Sequence, residues 1–140
     1  MSVATKRPEF RNIHALRDLP KYRLPAPGIV SILHRISGVL MFVLLPLVIW
    51  LFDTSVSSEI SFARFRSAFE NGSTGVLLKL VALALIWAYL HHFIAGVRHV
   101  WMDLSHAAVS KARGGASAKA TLVLSLVLTV VLGAKLFGLY

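Results

Sequence analysis

An all-α membrane protein with three transmembrane helices is predicted by the apolar content of the sequence, the spacing of its long uncharged runs and the uneven placement of its charges. Of 140 residues, 56% are hydrophobic and only 15% charged, and the mean hydropathy is +0.71. One domain of this size cannot cover so apolar a composition with a polar surface, which excludes a water-soluble globule. Fifteen Lys and Arg against six Asp and Glu give a net charge of +9. Beside long apolar runs that asymmetry points to membrane orientation, and no nucleic-acid partner is expected. The absence of cysteine excludes disulfides, thiolate metal sites, iron-sulfur ligation and cysteine nucleophiles within the chain.

The first 30 residues form a basic segment with Lys6, Arg7, Arg11, Arg17, Lys21 and Arg23 against Glu9 and Asp18, a balance of +4. A cleaved secretory signal is not expected, because the apolar run starts too late and SVSS after it is a poor cleavage match, nor is an organelle import peptide, because Glu9, Asp18 and the prolines interrupt that pattern. Pro25, Pro27 and Gly28 predict an extended or turning segment ahead of the first helix. That helix is expected over 31–52: Ile36–Phe52 is a run of 17 uncharged residues, extended backward by one turn. Pro46 should bend it by removing one backbone donor.

The 53–75 loop has a balance of −1, so positive charge places the N-terminus in the cytoplasm and this loop on the outer side of the membrane. Within it, Phe62–Phe69 alternates aromatic residues with arginine, a pattern for an interfacial helix or a plain connector. The second transmembrane helix is expected over 76–100. Its 22-residue core, Val76–Val97, spans about 33 Å at the helical rise, enough for a hydrocarbon core of about 30 Å. Lys79 near its start can snorkel. A cytoplasmic loop over 101–117 precedes a third helix over 118–138, where Ala118, Ser125, Gly133 and Ala134 permit close helix contact.

The sequence becomes polar where the first helix starts (Ser31, His34, Arg35) and where the second ends (His91, His92, Arg98, His99, Asp103). Up-and-down topology brings these clusters to the same leaflet, and ionisable groups at membrane depth mark a functional site. His92, Gly96, His99 and Asp103 lie at i, i+4, i+7 and i+11, forming one stripe, with His91 about 100° away. His92, the deepest of the stripe, suits axial ligation of a haem iron. Gly96, one turn on, removes a side chain that would collide with a flat macrocycle. Arg35 and Arg98 can neutralise haem propionates, and His99 can pair with Asp103. Alternatively, Ser31 and Arg35 can hold a quinone carbonyl and stabilise charge during reduction. A second axial ligand comes either from His34 or, a better fit for three short helices, from another subunit. With no nicotinamide fingerprint, phosphate loop or flavin-sized domain in the chain, electrons must arrive from a partner docked on the basic face.

SILHRISG at Ser31–Gly38 followed by HFIAGVRHVWMD at His92–Asp103 resembles the larger membrane-anchor subunit, the cytochrome b subunit, of bacterial succinate dehydrogenase, respiratory complex II. The resemblance covers nearly the full chain, starting from the basic N-terminus with Arg7 and Pro8. It implies a helical bundle formed with a second, smaller anchor subunit in the bacterial inner membrane, and contact with phospholipid. It places ubiquinone at Ser31 and Arg35, makes His92 the axial ligand of one shared haem b, and sets His34 near a haem propionate. The smaller anchor subunit would supply the other axial histidine and a tyrosine to the quinone site. FAD and the iron-sulfur clusters would reside in the flavoprotein and iron-sulfur subunits, with no activity from this chain alone. Arg98, His99 and Asp103 match further motif positions. The doubled histidine at His91 and His92 departs from the usual pattern, and Gly96 sets the register on His92. A fumarate reductase anchor and a non-redox membrane scaffold are the competing readings.

Overall fold

A computed structural model describes residues 14–18 and 21–140. Lys6, Arg7, Pro8, Glu9 and Arg11 of the basic segment, and Pro20, lie outside the described residues. The regular structure among the described residues is all helical: α1 (Ala15–Asp18), α2 (Ala26–Val43), α3 (Leu45–Val56), α4 (Glu59–Glu70), α5 (Gly72–Leu104), a 3₁₀ turn (His106–Val109) and α6 (Lys111–Leu136).

The proline pair at 25 and 27 opens the first long helix instead of delaying it. Pro25 is the extended N-cap, Pro27 sits in the first turn, and the amide of Gly28 already donates to the Pro25 carbonyl at 2.9 Å. Proline costs nothing at that position because the first-turn amides have no intrahelical partner. At the other end Pro46 does more than bend the span. Leu44 leaves the helical region with φ −88° and ψ 1°, and α3 starts afresh with proline in its own first turn. The expected 31–52 span is therefore two helices covering 26–56.

α4 forms where arginines and phenylalanines alternate. A capping box starts it: the Ser61 amide donates to Ser58 Oγ at 3.1 Å, and the Ser58 amide donates to Ser61 Oγ at 3.0 Å. Phe62, Phe65 and Phe69 stack along one side, with ring centroids 6.3 and 5.0 Å apart. A tight turn links α4 to α5. Gly72 has φ +41°, and a Cβ at Gly75 would lie 2.6 Å from the Phe69 carbonyl oxygen.

α5 runs past its expected limits at both ends, and its 33 residues make a rod of about 50 Å. α6 starts seven residues before the expected Ala118, taking in Gly114 and Gly115, so the connection from α5 narrows to the segment around the 3₁₀ turn. α2, α5 and α6 pack together around Val30, Ala95 and Ala118, with Ala26 and Leu122 against them. Small residues make that approach possible: Ala88 and Ala95 on α5, and Ala118, Thr121, Ser125, Thr129 and Gly133 on α6, are all buried. Of the four small residues expected at this contact, Ala134 alone is only half-buried.

Large apolar side chains lie outside: Phe42, Trp50, Tyr89, Phe93, Val97 and Val130 are all more than half exposed. In water such a surface would aggregate, whereas in hydrocarbon it is the solvated face. Among the described residues three helices, α2, α5 and α6, are long and apolar enough to cross a membrane.

Candidate functional site

α2 and α5 lie side by side, and their contact brings His34 of α2 against the polar stripe of α5. Ser37, one turn after His34 and fully buried, donates its hydroxyl back to the His34 carbonyl at 2.9 Å. The same carbonyl oxygen accepts from Nδ1–H of His92 at 3.0 Å. A carbonyl has two lone pairs and no proton, so the arrangement assigns the His92 proton to Nδ1. Ser37 Oγ lies 3.3 Å from that nitrogen. The rings of His34 and His92 stack at 4.1 Å and 16°, and His99 tilts against His34 at 5.2 Å and 50°.

With Nδ1 committed, Nε2 of His92 keeps its lone pair and has no hydrogen-bond partner among the described residues. Such an imidazole can ligate a metal or accept a proton. His92 also lines a shallow apolar cleft of about 530 Å³, with Phe93, Gly96, Val97, Val100, Trp101 and Leu104. A Cβ at Gly96 would meet only His34 Nε2, at an ordinary 3.8 Å, so the chain's own packing does not demand that glycine. Its bareness serves the cleft. Gly38 is the opposite case: a Cβ there would stand 2.9 Å from His92 Cε1. Among the described residues no set of three His, Asp or Glu converges on one point, so the histidines form a ring stack and not a cage for a bare ion.

Three residues that the sequence groups together are separated by the structure. His91, adjacent to His92, is completely buried on the other side of α5, with Nδ1 3.1 Å from Ser125 Oγ and its ring stacked near Trp87 at 5.6 Å. Ser125 donates to the Leu122 carbonyl, so the histidine nitrogen is the donor of the pair. Arg98, only 8% exposed, also points at α6: Nε donates to Ser117 Oγ at 3.0 Å and Nη2 to the Gly114 carbonyl at 3.1 Å. It does not join the group around His92. Asp103 is exposed at the end of α5, and among the described residues it has no hydrogen bond to His99. The i, i+4 spacing permits that pair, but His99 turns to His34 instead.

Ser31 and Arg35 lie one turn apart on α2, beside the His34 face. Ser31 is half-buried, whereas Arg35 is exposed, has no acidic partner among the described residues, and heads an apolar groove formed by Ile36, Val39, Leu40, Val43 and Leu44. Ser37, Gly38, Ser117 and Ser125 were not among the expected site residues. For the first two a signal existed: they close the Ser31–Gly38 motif, and a serine three residues after a histidine is placed to bond its carbonyl.

A family described as "Succinate dehydrogenase/Fumarate reductase transmembrane subunit" matches residues 10–132. The chain belongs to that family. Three succinate dehydrogenase cytochrome b556 subunits are similar to it. The one from Coxiella burnetii is 35% identical over 117 residues, 83% of this chain and 90% of the relative. The one from Paracoccus denitrificans is 30% identical over 88 residues, 63% and 65% of the two chains. The one from Rickettsia felis is 24% identical over 85 residues, 61% and 62%. As a succinate dehydrogenase/fumarate reductase transmembrane subunit, the chain is a multi-pass inner-membrane protein and a non-catalytic member of a larger enzyme.

Proposed function

We propose that this anchor subunit holds one haem b through Nε2 of His92 and binds ubiquinone at Ser31 and Arg35, helping electrons pass from an iron-sulfur subunit to the quinone. One observation carries the reading: the Nδ1 proton of His92 is held by the His34 carbonyl, which leaves Nε2 without a hydrogen-bond partner among the described residues. The donor chemistry fits the group, because a neutral imidazole fixed by a carbonyl on its far nitrogen is a good axial iron ligand. The cleft along Phe93, Gly96 and Val97 is apolar and uncluttered, as a macrocycle requires. The cytochrome b556 named in the three relatives supports the same assignment. A bound haem supplies a one-electron store close to the quinone.

The chain's own residues do the rest. Arg35 offers fixed positive charge and planar donors to a quinone oxygen, and Ser31 a hydroxyl one turn away. Negative charge that develops on the oxygen during reduction is stabilised there, and two protons taken up from the cytoplasmic side complete the quinol. The groove from Ile36 to Leu44 suits an isoprenoid tail. His34 and His99, packed beside His92, would border a haem held there, whereas Arg98 serves the α5–α6 joint. A smaller anchor subunit would supply a second histidine to the haem iron, and the basic N-terminal side would face the iron-sulfur and flavoprotein subunits.

The test uses the intact complex. His92→Leu should abolish the low-spin haem spectrum. Ser31→Ala should lower ubiquinone reduction with haem and assembly retained. A His92→Leu complex with an unaltered reduced-minus-oxidised spectrum would move ligation to another histidine, and full quinone reductase activity in Ser31→Ala would remove Ser31 from the site.

A further inference from the structure

We infer that Ser37 and Gly38 are positioning residues for His92, fixing its tautomer and the plane of its ring. The inference rests on His92 being the haem ligand, and it concerns residues that touch His92 from α2.

Two independent observations meet at this ring. The first is the shared carbonyl. Ser37 Oγ–H and His92 Nδ1–H both point at the His34 oxygen, at 2.9 and 3.0 Å, and Ser37 Oγ stands 3.3 Å from Nδ1. Donation to the carbonyl orients the serine proton away from the histidine, so a lone pair of Oγ faces Nδ1–H. The ring proton therefore sits between two oxygens. Ser37 has no exposed surface, so water cannot take over its place. Acceptors on Nδ1–H raise the basicity of Nε2 and strengthen the ligand for ferric over ferrous iron.

The second observation is steric. Gly38 lies inside α2, where glycine is a poor choice for the helix itself. Its backbone needs no unusual dihedral: only Gly72 and Gly138 have positive φ among the described glycines. What it provides is space. A Cβ would come within 2.9 Å of Cε1 and 3.3 Å of Nδ1 of His92, and the His34 ring stacked at 4.1 Å limits where the imidazole can go. Adding a methyl group at Gly38 must displace the ring from the carbonyl. Removing the hydroxyl at Ser37 deletes the second acceptor without adding bulk.

The experiment compares Ser37→Ala, Ser37→Thr, Gly38→Ala and His92→Leu in the purified whole complex. It reads the haem midpoint potential and the EPR spectrum of the oxidised low-spin haem alongside haem content. Gly38→Ala should weaken the Nδ1 bond and shift the ferric-to-ferrous affinity ratio about tenfold, an upward move of about 59 mV for a one-electron couple. Ser37→Ala should move the potential in the same direction by less, with a changed largest g value. Ser37→Thr, which keeps the hydroxyl, should restore both readings. Assembly of Gly38→Ala without haem also supports the inference, since the ring has then left its place. If Gly38→Ala does not accumulate, the Ser37→Ala and Ser37→Thr pair decides. Wild-type potential and EPR spectrum in Ser37→Ala would overturn the role of the hydroxyl, and the same result in Gly38→Ala that of the glycine. A haem spectrum that survives His92→Leu defeats the ligation reading itself, whereas its loss there with unperturbed Ser37 and Gly38 variants defeats only the positioning role.

Discussion

Replacing Arg98 with methionine separates a helix-joining role for its guanidinium from the cofactor-binding role that the sequence suggests. In the structure the guanidinium makes two hydrogen bonds across the α5–α6 contact, to Ser117 Oγ and to the Gly114 carbonyl, from a position 8% exposed. Each charge-assisted bond contributes about 1.5–3 kcal/mol, so the gross loss is about 3–6 kcal/mol. Two features reduce it. Methionine retains the apolar stem and removes the cost of keeping a charge out of water. Ser117 Oγ already donates to the Gly114 carbonyl at 3.2 Å, so that oxygen is not orphaned. A net destabilisation of about 2 kcal/mol remains, roughly a 30-fold shift in the unfolding equilibrium. Detergent-denaturant titration of the assembled complex, following release of this subunit on a native gel, measures it, and the reduced-minus-oxidised haem spectrum serves as the control. The expected result is a lower midpoint with the haem spectrum intact. An unchanged midpoint with loss or distortion of the haem spectrum would refute the reasoning and return Arg98 to the cofactor.

The contact between His91 and Ser125 should show coupling: in a cycle of His91→Phe and Ser125→Ala, the double variant should depart from additivity by about 0.6 kcal/mol and by no more than about 1.7. Additive midpoints in the same titration would mean that the buried 3.1 Å contact contributes nothing. Gly75→Ala drives a methyl group to 2.6 Å from a backbone oxygen of α4, which cannot move aside as a side-chain end can. It should cost about 1–3 kcal/mol and speed limited proteolysis of the α4–α5 turn. Arg66→Ala breaks an ion pair whose side chains are 72% and 62% exposed, and its titration midpoint should shift by less than about 0.5 kcal/mol.

Much of the fold is legible because its causes are local. A membrane helix declares itself by an uncharged run of sufficient length, so α5 and α6 are visible in the sequence even though their ends are not. The ends depend on neighbours: α6 begins at Lys111 through two glycines because Arg98 and Ser117 hold its first turns against α5. Proline reads ambiguously for a related reason. The same residue type ends a helix when its missing amide was needed, as Pro46 ends α2 ahead of Leu44, and begins one when it was not, as at Pro25 and Pro27.

By itself the sequence determined a three-span apolar chain, the meeting of His34 with the histidine stripe of the second long helix, and the different directions taken by His92 and His91. All three follow from composition, alternating helix direction and the 3.6-residue period, which need no knowledge of crossing geometry. The tertiary structure alone decided which partner each polar side chain takes: His92 donates to the His34 carbonyl, His91 bonds Ser125, Arg98 bonds the start of α6, and His99 packs its ring against that of His34 in place of pairing with Asp103. Helical spacing sets the direction in which a side chain leaves its helix. Which backbone or side chain stands opposite, and how close a glycine such as Gly38 lets it come, is set by how the helices pack.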